Sequence, residues 1–125
     1  MTTWTTDELR RIGDADELRV SSRRKDGSLR PKVTIWVVRV GDDIYIRSAI
    51  GPENPWYRRA KASGTGRITA GGVERDVAFA EAAPDAHSGI DAAYHTKYDR
   101  YGDNLVSPVV GDTAALATLR VVPEG

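Results

Sequence analysis

The sequence predicts a mainly β domain in which six antiparallel strands curl into a small barrel, with short helices at its flanks. Short apolar runs rich in β-branched residues recur along the chain, and tight turns join them into two hairpins. The helical segments lie between the hairpins, without the strict alternation of strand and helix that parallel sheets require. We expect a single domain over residues 1–125, and six strands in so small a domain bury a core only if the sheet curls.

The composition excludes several classes of protein. The chain of 125 residues contains no cysteine, which excludes disulfide frameworks, iron–sulfur clusters and thiol catalysis. Its 18 Lys and Arg residues balance 18 Asp and Glu residues, which argues against nucleic-acid binding through bulk charge. The longest strongly apolar stretch, residues 33–38, is far shorter than the ~20 residues that span a bilayer, and the amino terminus carries acids where a signal peptide carries bases. We therefore expect a cytoplasmic protein without membrane contact.

The first third of the chain predicts one short helix and two strands. Thr6 suits the N-cap position of the helix and Gly13 ends it. A first strand is predicted at residues 17–23, and the strongest strand signal lies at residues 32–40. Because apolar residues occupy both faces of that second strand, it is predicted to be central and buried on both sides.

The rest of the chain predicts four further strands and two further helices. A turn at 41–43 leads into a strand at 44–48, and Pro55 opens a helix that ends at Gly64. The Gly-Gly pair at 71–72 joins a second hairpin from residues 67–69 and 73–80. Apolar spacing then predicts a helix at 89–101 and a closing strand at 118–122.

Residues that carry metal or nucleophile chemistry are sparse. His87 and His95 are eight positions apart, and neither has the partner four residues away that a helical zinc site needs. The sequence also lacks the motifs of serine hydrolases, zinc proteases and phosphate-binding loops. We therefore expect no metal site.

The sequence contains two cationic clusters, and the second is a candidate for binding phosphate. Residues 23–25, Arg-Arg-Lys, lead into a turn, and Arg58, Arg59 and Lys61 lie on the helix that Pro55 opens. A helix start with nearby arginines binds phosphate through backbone N–H groups and guanidinium contacts. Arg47, at the end of the preceding strand, can point toward the same place. The alternative for both clusters is a solvated surface.

Aromatic residues gather at the same helix start and on the late helix. Trp56 follows Pro55, and Tyr94, Tyr98 and Tyr101 form a stripe at helical spacing. Such a stripe is typical of core packing, but it also suits stacking against a planar conjugated ligand.

Several segments of the chain resemble the split-barrel flavin-binding superfamily. They include a strand that ends in Arg47-Ser48, a Pro-Trp-Tyr helix start at 55–57, and a tyrosine-bearing helix followed by Ser-Pro-Val-Val at 107–110. Within that superfamily the chain is similar to deazaflavin-dependent nitroreductases and pyridoxamine-phosphate-oxidase-like proteins. Residues 4–123 as a whole also resemble a bacterial family of small split-barrel proteins that has no assigned activity.

The resemblance implies a fold, a cofactor and an assembly. The implied fold is a six-stranded antiparallel split β-barrel with flanking short helices, and the implied assembly is a homodimer that binds FMN or the deazaflavin cofactor in a groove near its interface. The chain departs from the family pattern at Arg59, where the family carries Asn. Together, the resemblance and the second cationic cluster assign cofactor binding to Lys32, Thr34, Arg47, Ser48, Trp56, Arg58, Arg59 and Lys61.

Two functional hypotheses follow. In the first, the protein is a flavin- or deazaflavin-dependent oxidoreductase acting on a small-molecule substrate, and the cofactor performs hydride transfer, so that no protein nucleophile is needed. In the second, the barrel binds or isomerises a small metabolite without a cofactor, and Tyr94 and Tyr98, with His95, act as catalytic acids or bases. A structural or interaction role remains a third possibility.

Overall fold

The computed structural model describes residues 3–124, which form one seven-stranded antiparallel sheet. The strands follow one another across the sheet in the order β2-β1-β5-β6-β7-β4-β3, and each neighbouring pair is antiparallel. In chain order they are β1 (Leu18–Ser22), β2 (Val33–Ile35), β3 (Val38–Val40), β4 (Asp43–Arg47), β5 (Thr65–Ala70), β6 (Val73–Ala80) and β7 (Thr118–Pro123).

Helices connect these strands and cover the sheet. The longer helices are α1 (Thr6–Asp14), α2 (Pro55–Ser63) and α3 (His87–Tyr98), and the single turns are α4 (Asp103–Val106) and α5 (Asp112–Ala115). Short 3₁₀ segments lie at Pro84–Ala86, Asp99–Tyr101 and Ser107–Val109. No helix within residues 3–124 has the length and apolar character needed to cross a membrane.

The sheet curls because one short segment forms both of its edges. β2 and β3 are the two outermost strands, and only Trp36 and Val37 separate them in the chain. Two residues bridge a few ångströms, so the two edges of the sheet lie close together. The barrel-like antiparallel sheet predicted from the sequence is therefore confirmed.

The prediction of one central strand at residues 32–40 is wrong, and this is why the structure has seven strands instead of six. The segment breaks at Trp36 and Val37, and each half is an edge strand. Tyr98 causes the break: its hydroxyl accepts a hydrogen bond from the Val37 N–H (3.1 Å) and lies 3.0 Å from the Val37 carbonyl oxygen. Trp36 leaves the sheet and stacks on the Tyr98 ring, with 4.0 Å between ring centroids.

Most helix boundaries agree with the sequence pattern. α2 starts at Pro55 as predicted and ends at Gly64, whose φ of +72° a residue with a side chain rarely adopts. The N-cap of α1 is Thr5 instead of Thr6, and it forms a capping box with Glu8. α3 begins two residues before its predicted start and gives way to a 3₁₀ turn at Asp99–Tyr101.

The core has two parts. The main cluster fills the curled sheet, and its fully buried side chains include Ile12, Leu18, Ile44, Ile68 and Leu119. The second cluster packs α3 against β3 and β4, through buried side chains that include Val38, Tyr45, Ile90, Tyr94 and Tyr98. α3 is thereby fixed over the break at Trp36 and beside the carboxyl end of β4.

Candidate functional site

Three adjoining depressions lie between helix α2 and the segment that runs from the 23–30 loop into edge strand β2. The first, the tryptophan groove, has a volume of about 570 Å³ and is lined mostly by apolar side chains, among them Ile35, Trp36, Trp56 and Val109. The second, the arginine cleft, has a volume of about 950 Å³. A small cavity of about 20 Å³ shares Trp56 with the groove and Arg59 with the cleft, so it lies between them.

The arginine cleft brings together the two cationic clusters predicted from the sequence. Residues 23–25 meet α2 across the cleft, and no Asp or Glu occurs among the described residues that line it. Its six cationic side chains are Arg23, Arg24, Lys25, Arg30, Arg58 and Arg59.

The hairpin loop on one side of the cleft has a defined local structure. Asp26 accepts hydrogen bonds from the Ser28 backbone N–H (2.9 Å) and from the Ser28 hydroxyl (2.6 Å), in the manner of an Asx turn. Gly27 has a φ of +88°, which suits glycine. An isolated bridge between Arg23 and Leu29 closes the loop and directs the backbone back toward β2.

Helix α2 contributes its amino-terminal end to the site. Its N-cap residue, Asn54, makes no capping hydrogen bond with its side chain among the described residues, and the first turn contains no acidic residue. Unpaired N–H groups at a helix start carry partial positive charge and attract anions. This end of α2 therefore adds to the positive potential of Arg58 and Arg59, which lie one turn further along.

Most of the positive charge in the cleft is uncompensated. Arg23 pairs with Asp76 (3.0 Å), but Asp76 also accepts a hydrogen bond from Arg67 (2.8 Å), which holds the pKa of the Asp76 carboxyl below its usual value. One carboxylate thus serves two guanidinium groups. Within the described residues, Arg24 donates only to the neutral acceptors Ser28 and Leu29.

Arg30 carries an unsatisfied donor between the cleft and the small cavity. Its Nε atom is buried and has no hydrogen-bond partner within residues 3–124. A buried donor without a partner costs about 1–3 kcal/mol, and an acceptor from a bound ligand recovers that free energy. Sequence reasoning did not select Arg30; its position immediately before Pro31, at the entry to β2, is a weak signal that could have marked it.

Arg47 lines the tryptophan groove, but its guanidinium is already occupied. The side chain is 0% exposed and donates from Nε to the Thr118 hydroxyl (2.8 Å). Its Nη1 donates to the Val109 carbonyl (2.9 Å) and to Asp91, and its Nη2 lies 3.1 Å from His87 Nδ1. A guanidinium only donates, so His87 Nδ1 is the acceptor in this contact. Arg47 therefore ties β4 to α3, β7 and the 107–109 segment.

The other sequence-predicted binding residues occupy different environments. Thr34 is exposed in the tryptophan groove, whereas Lys32 is exposed and lines none of the three depressions. Ser48 is fully buried, and its hydroxyl has no partner within the described chain. Lys61 lies outside the cleft lining, with its ammonium 6.0 Å from the centroid of the Tyr57 ring.

Tyr94 and Tyr98 lie in the second core cluster instead of at the groove. Both side chains are 0% exposed, and burial raises the pKa of both hydroxyls above the ordinary value for tyrosine. The Tyr98 hydroxyl is bonded to the backbone at Val37 and lies 2.8 Å from the Asp16 carbonyl oxygen. His95 is exposed beside Asp99. Neither tyrosine is among the residues that line the tryptophan groove.

Trp36 is a site residue that sequence reasoning placed in a strand. It forms one wall of the tryptophan groove, and the stacked Tyr98 ring lies behind it. The signal available in the sequence was a tryptophan within a run of aliphatic and β-branched residues. The break in the strand that brings this tryptophan to the groove depends on Tyr98, which lies 62 positions away in the chain.

Solved structures of low sequence identity share this fold. A Listeria innocua protein named as a candidate pyridoxamine 5'-phosphate oxidase is 14% identical, with a TM-score of 0.64 and coverage of 94% of this chain and 90% of that one. An F420-H2 dependent reductase, FDR-A, is 17% identical, with a TM-score of 0.62 and coverage of 86% and 93%. A FAD-binding protein from Mesorhizobium loti is 14% identical, with a TM-score of 0.59 and coverage of 98% and 92%.

These likenesses confirm the split-barrel fold that the sequence resemblance implied. No curated protein matches the chain. The sequence model of a family described as an uncharacterized protein conserved in bacteria, DUF2255, matches residues 8–121. The chain therefore belongs to the DUF2255 family, and it shares its fold with the solved structures named above.

Proposed function

We propose that this protein binds a flavin or deazaflavin cofactor and acts as an oxidoreductase on a small molecule. The observation that carries the proposal is the order of the depressions: an apolar groove between two tryptophans adjoins a cleft lined by six cationic side chains. FMN and the deazaflavin cofactor have the same order, since a planar ring system precedes a phosphate-bearing tail. Solved structures with this fold include an F420-H2 dependent reductase and a FAD-binding protein.

The tryptophan groove suits the ring system. Its volume of about 570 Å³ lies within the range of small-molecule pockets, and its walls are mostly apolar. The Trp36 ring stacks on the Tyr98 ring at an interplanar angle of 5°, and this contact fixes the orientation of Trp36 before any ligand binds. A rigid aromatic wall loses little conformational entropy when a planar ligand stacks on it.

The arginine cleft suits the phosphate. Arg59 lines both the cleft and the small cavity, and Arg30 offers its unpartnered Nε in the same place. Guanidinium groups bind phosphate oxygens through charge-assisted hydrogen bonds, which are about twice as strong as neutral ones. We assign phosphate binding to Arg30, Arg58 and Arg59, with the start of α2 adding N–H donors.

The chemistry belongs to the cofactor, and the chain supplies binding and orientation. A bound flavin or deazaflavin supplies hydride transfer. Arg47 acts on the groove indirectly, because its hydrogen bonds to Asp91 and Val109 hold α3 and the 107–109 segment against β4. Val109 is part of the groove wall, so this network sets the shape of the groove.

We further propose that the protein works as a homodimer in which a second copy covers the groove. Leu105 lines the tryptophan groove and is 55% exposed, which is a large fraction for a leucine beside a candidate ligand site. A mass measurement in solution tests this: we expect twice the chain mass for the wild type and the chain mass for Leu105→Asp. A wild-type protein that stays monomeric at micromolar concentration contradicts the dimer.

Cofactor binding is tested by titration with FMN and with the deazaflavin cofactor F420, followed through tryptophan fluorescence. Trp36 and Trp56 line the groove, whereas Trp4 lines none of the three depressions and donates to the Val121 carbonyl. We expect quenching that persists in Trp4→Phe and falls in Trp56→Phe. If neither cofactor quenches fluorescence at micromolar concentration, the proposed function is wrong.

The phosphate assignment has a matched control on the same helix. Arg59→Gln removes a guanidinium from the cleft and is expected to weaken FMN binding about tenfold, the value of a lost charge-assisted bond. Lys61→Gln removes the same charge from outside the cleft and is expected to leave FMN affinity nearly unchanged. Riboflavin, which lacks the phosphate, should bind Arg59→Gln and the wild type equally. Equal effects of the two substitutions on FMN binding would place the phosphate elsewhere.

A further inference from the structure

A separate groove lies between helices α1 and α3, over strand β3. Its volume is about 450 Å³, and its lining includes Leu9, Gly13, Arg39, Ala93 and Lys97. None of its lining residues lines the tryptophan groove, the arginine cleft or the small cavity. We call it the α1–α3 groove.

Lys97 is the chemically distinctive residue of this groove. Its Nζ donates to the Val37 carbonyl oxygen (2.7 Å) and lies 5.1 Å from the centroid of the Tyr98 ring. Both partners are uncharged, and Lys97 forms no ion pair among residues 3–124. Asp14 also lines this groove, but no carboxylate among residues 3–124 pairs directly with the amine. A half-buried lysine without a direct ion pair is the arrangement that activates an amine as a nucleophile.

The electrostatic surroundings of Lys97 favour the neutral amine. Burial lowers the pKa of Lys97 to about 8; Asp16 and Asp14 oppose this shift and Arg100 adds to it. Further groups that border the amine or its groove are the cations Arg10 and Arg39 and the neutral hydroxyl of Tyr98. At pH 7 about a tenth of an amine with this pKa is neutral and carries a free electron pair.

Arg39 gives the same groove a place for an anionic group. Its Nε donates to the Gly41 carbonyl (2.7 Å), and its terminal nitrogens form no ion pair within the described chain. The side chain lies directly over Gly13, where an added Cβ atom would be 3.2 Å from the Arg39 Cβ and Cδ atoms. Arg39 and Lys97 thus line the same groove, Arg39 from β3 and Lys97 from α3.

We propose that Lys97 is a nucleophilic amine that condenses with a small aldehyde or ketone, and that Arg39 binds a carboxylate or phosphate group on that compound. The nitrogen lone pair attacks the carbonyl carbon and forms the C–N bond. The carbonyl oxygen then leaves as water with the two amine protons, and an imine remains. The step needs no oxidant or reductant, so it is independent of any cofactor in the tryptophan groove.

The experiment uses glyoxylate, an aldehyde that carries a carboxylate, with cyanoborohydride to trap the imine and peptide mass mapping to locate it. The chain has four lysines, at positions 25, 32, 61 and 97, and the exposed Lys61 is the internal control. At pH 7.5 the neutral fraction of an amine of pKa about 8 is roughly 200-fold that of an ordinary lysine. A less basic amine is also a weaker nucleophile, and this offsets part of the gain in labelling rate. We expect Lys97 to be labelled about tenfold faster than Lys61.

Two controls separate the proposal from general amine reactivity. Arg39→Gln should slow labelling of Lys97 by glyoxylate several-fold but leave its labelling by acetaldehyde, which has no acidic group, unchanged. Arg19→Gln, an exposed arginine on β1, should change neither rate. The labelling rate of Lys97 should level off above about pH 8, whereas an ordinary lysine gains reactivity to about pH 10. Equal labelling of all four lysines, or equal effects of Arg39→Gln on both aldehydes, overturns the proposal.

Discussion

Replacing Arg47 by methionine distinguishes a positioning role from direct cofactor binding. Methionine keeps much of the aliphatic length of arginine and removes the guanidinium, together with its contacts to Thr118, Val109, Asp91 and His87. Because the side chain is 0% exposed, water does not replace these contacts without opening the second core cluster.

The structure sets the size of the expected loss of stability. The Val109 carbonyl loses its donor at a buried site, which costs about 1–3 kcal/mol. Removing one partner of a buried ion pair costs about 3–5 kcal/mol, but Asp91 is about one-third exposed and keeps the Gly111 N–H (3.3 Å) as a donor. We therefore expect a loss near the lower end, about 3 kcal/mol in the free energy of unfolding, and a melting temperature lower by roughly 10 °C.

Urea unfolding followed by circular dichroism measures this loss, and Arg58→Met is the matched control. Arg58 is exposed in the arginine cleft, so its replacement should change the free energy of unfolding by less than about 0.5 kcal/mol. A double-mutant cycle with Asp91→Asn should give a coupling free energy above about 1 kcal/mol. An Arg47→Met protein that is as stable as wild type but no longer binds FMN would show that Arg47 contacts the cofactor, and the positioning role would be wrong.

Four further variants test the core and the sheet. Tyr94→Phe removes a buried hydroxyl that has no partner among the described residues, so the free energy of unfolding should stay unchanged or rise by up to about 1 kcal/mol. Tyr98→Phe removes the hydrogen bonds at the strand break, so it should lower the free energy of unfolding by about 1–2 kcal/mol. Thermal melts of both variants check this, and equal losses would contradict it. Gly66→Ala places a Cβ atom 2.1 Å from a β1 carbonyl oxygen. Because of this overlap, we expect a melting temperature lower by roughly 10 °C or more. A melting temperature equal to that of the wild type would show that β1 and β5 move apart at little cost in free energy. The pKa of Asp76 is lowered, first by its hydrogen bond from Arg67, so its contribution to stability is present above the unfolded pKa and is lost as pH falls through the folded pKa. Asp76→Asn should therefore be less acid-sensitive than wild type below about pH 4 in unfolding titrations, and identical acid curves would count against the pairing.

The strands and helices were largely predictable because their signals are local. α2 begins at Pro55 and ends at Gly64 through the backbone preferences of those two residues, which need no distant partner. The hairpin of β5 and β6 turns at Gly71-Gly72, both at positive φ, for the same reason. Alternating apolar residues then bury one face of each strand, and curling follows from the number of strands in a short chain.

The site was predictable in part. The sequence marked Arg58 and Arg59 as anion-binding candidates, and the structure adds residues 23–25 to the lining of the same cleft. It could not show that Arg47 is enclosed, because its partners lie 40 to 71 positions away along the chain. The spacing of the tyrosines was compatible both with core packing and with ligand recognition. The structure places Tyr94 in the core.

The chain's own residue pattern thus specifies the curled antiparallel sheet, its helices and the positive charge near α2, since periodicity, capping and turn preference act over a few residues. Folding alone specifies that Tyr98 breaks the strand at Val37, that Trp36 becomes a wall of a groove, and that this groove adjoins the arginine cleft. Each of these depends on hydrogen bonds and contacts between segments far apart in sequence, whose partners no local pattern identifies.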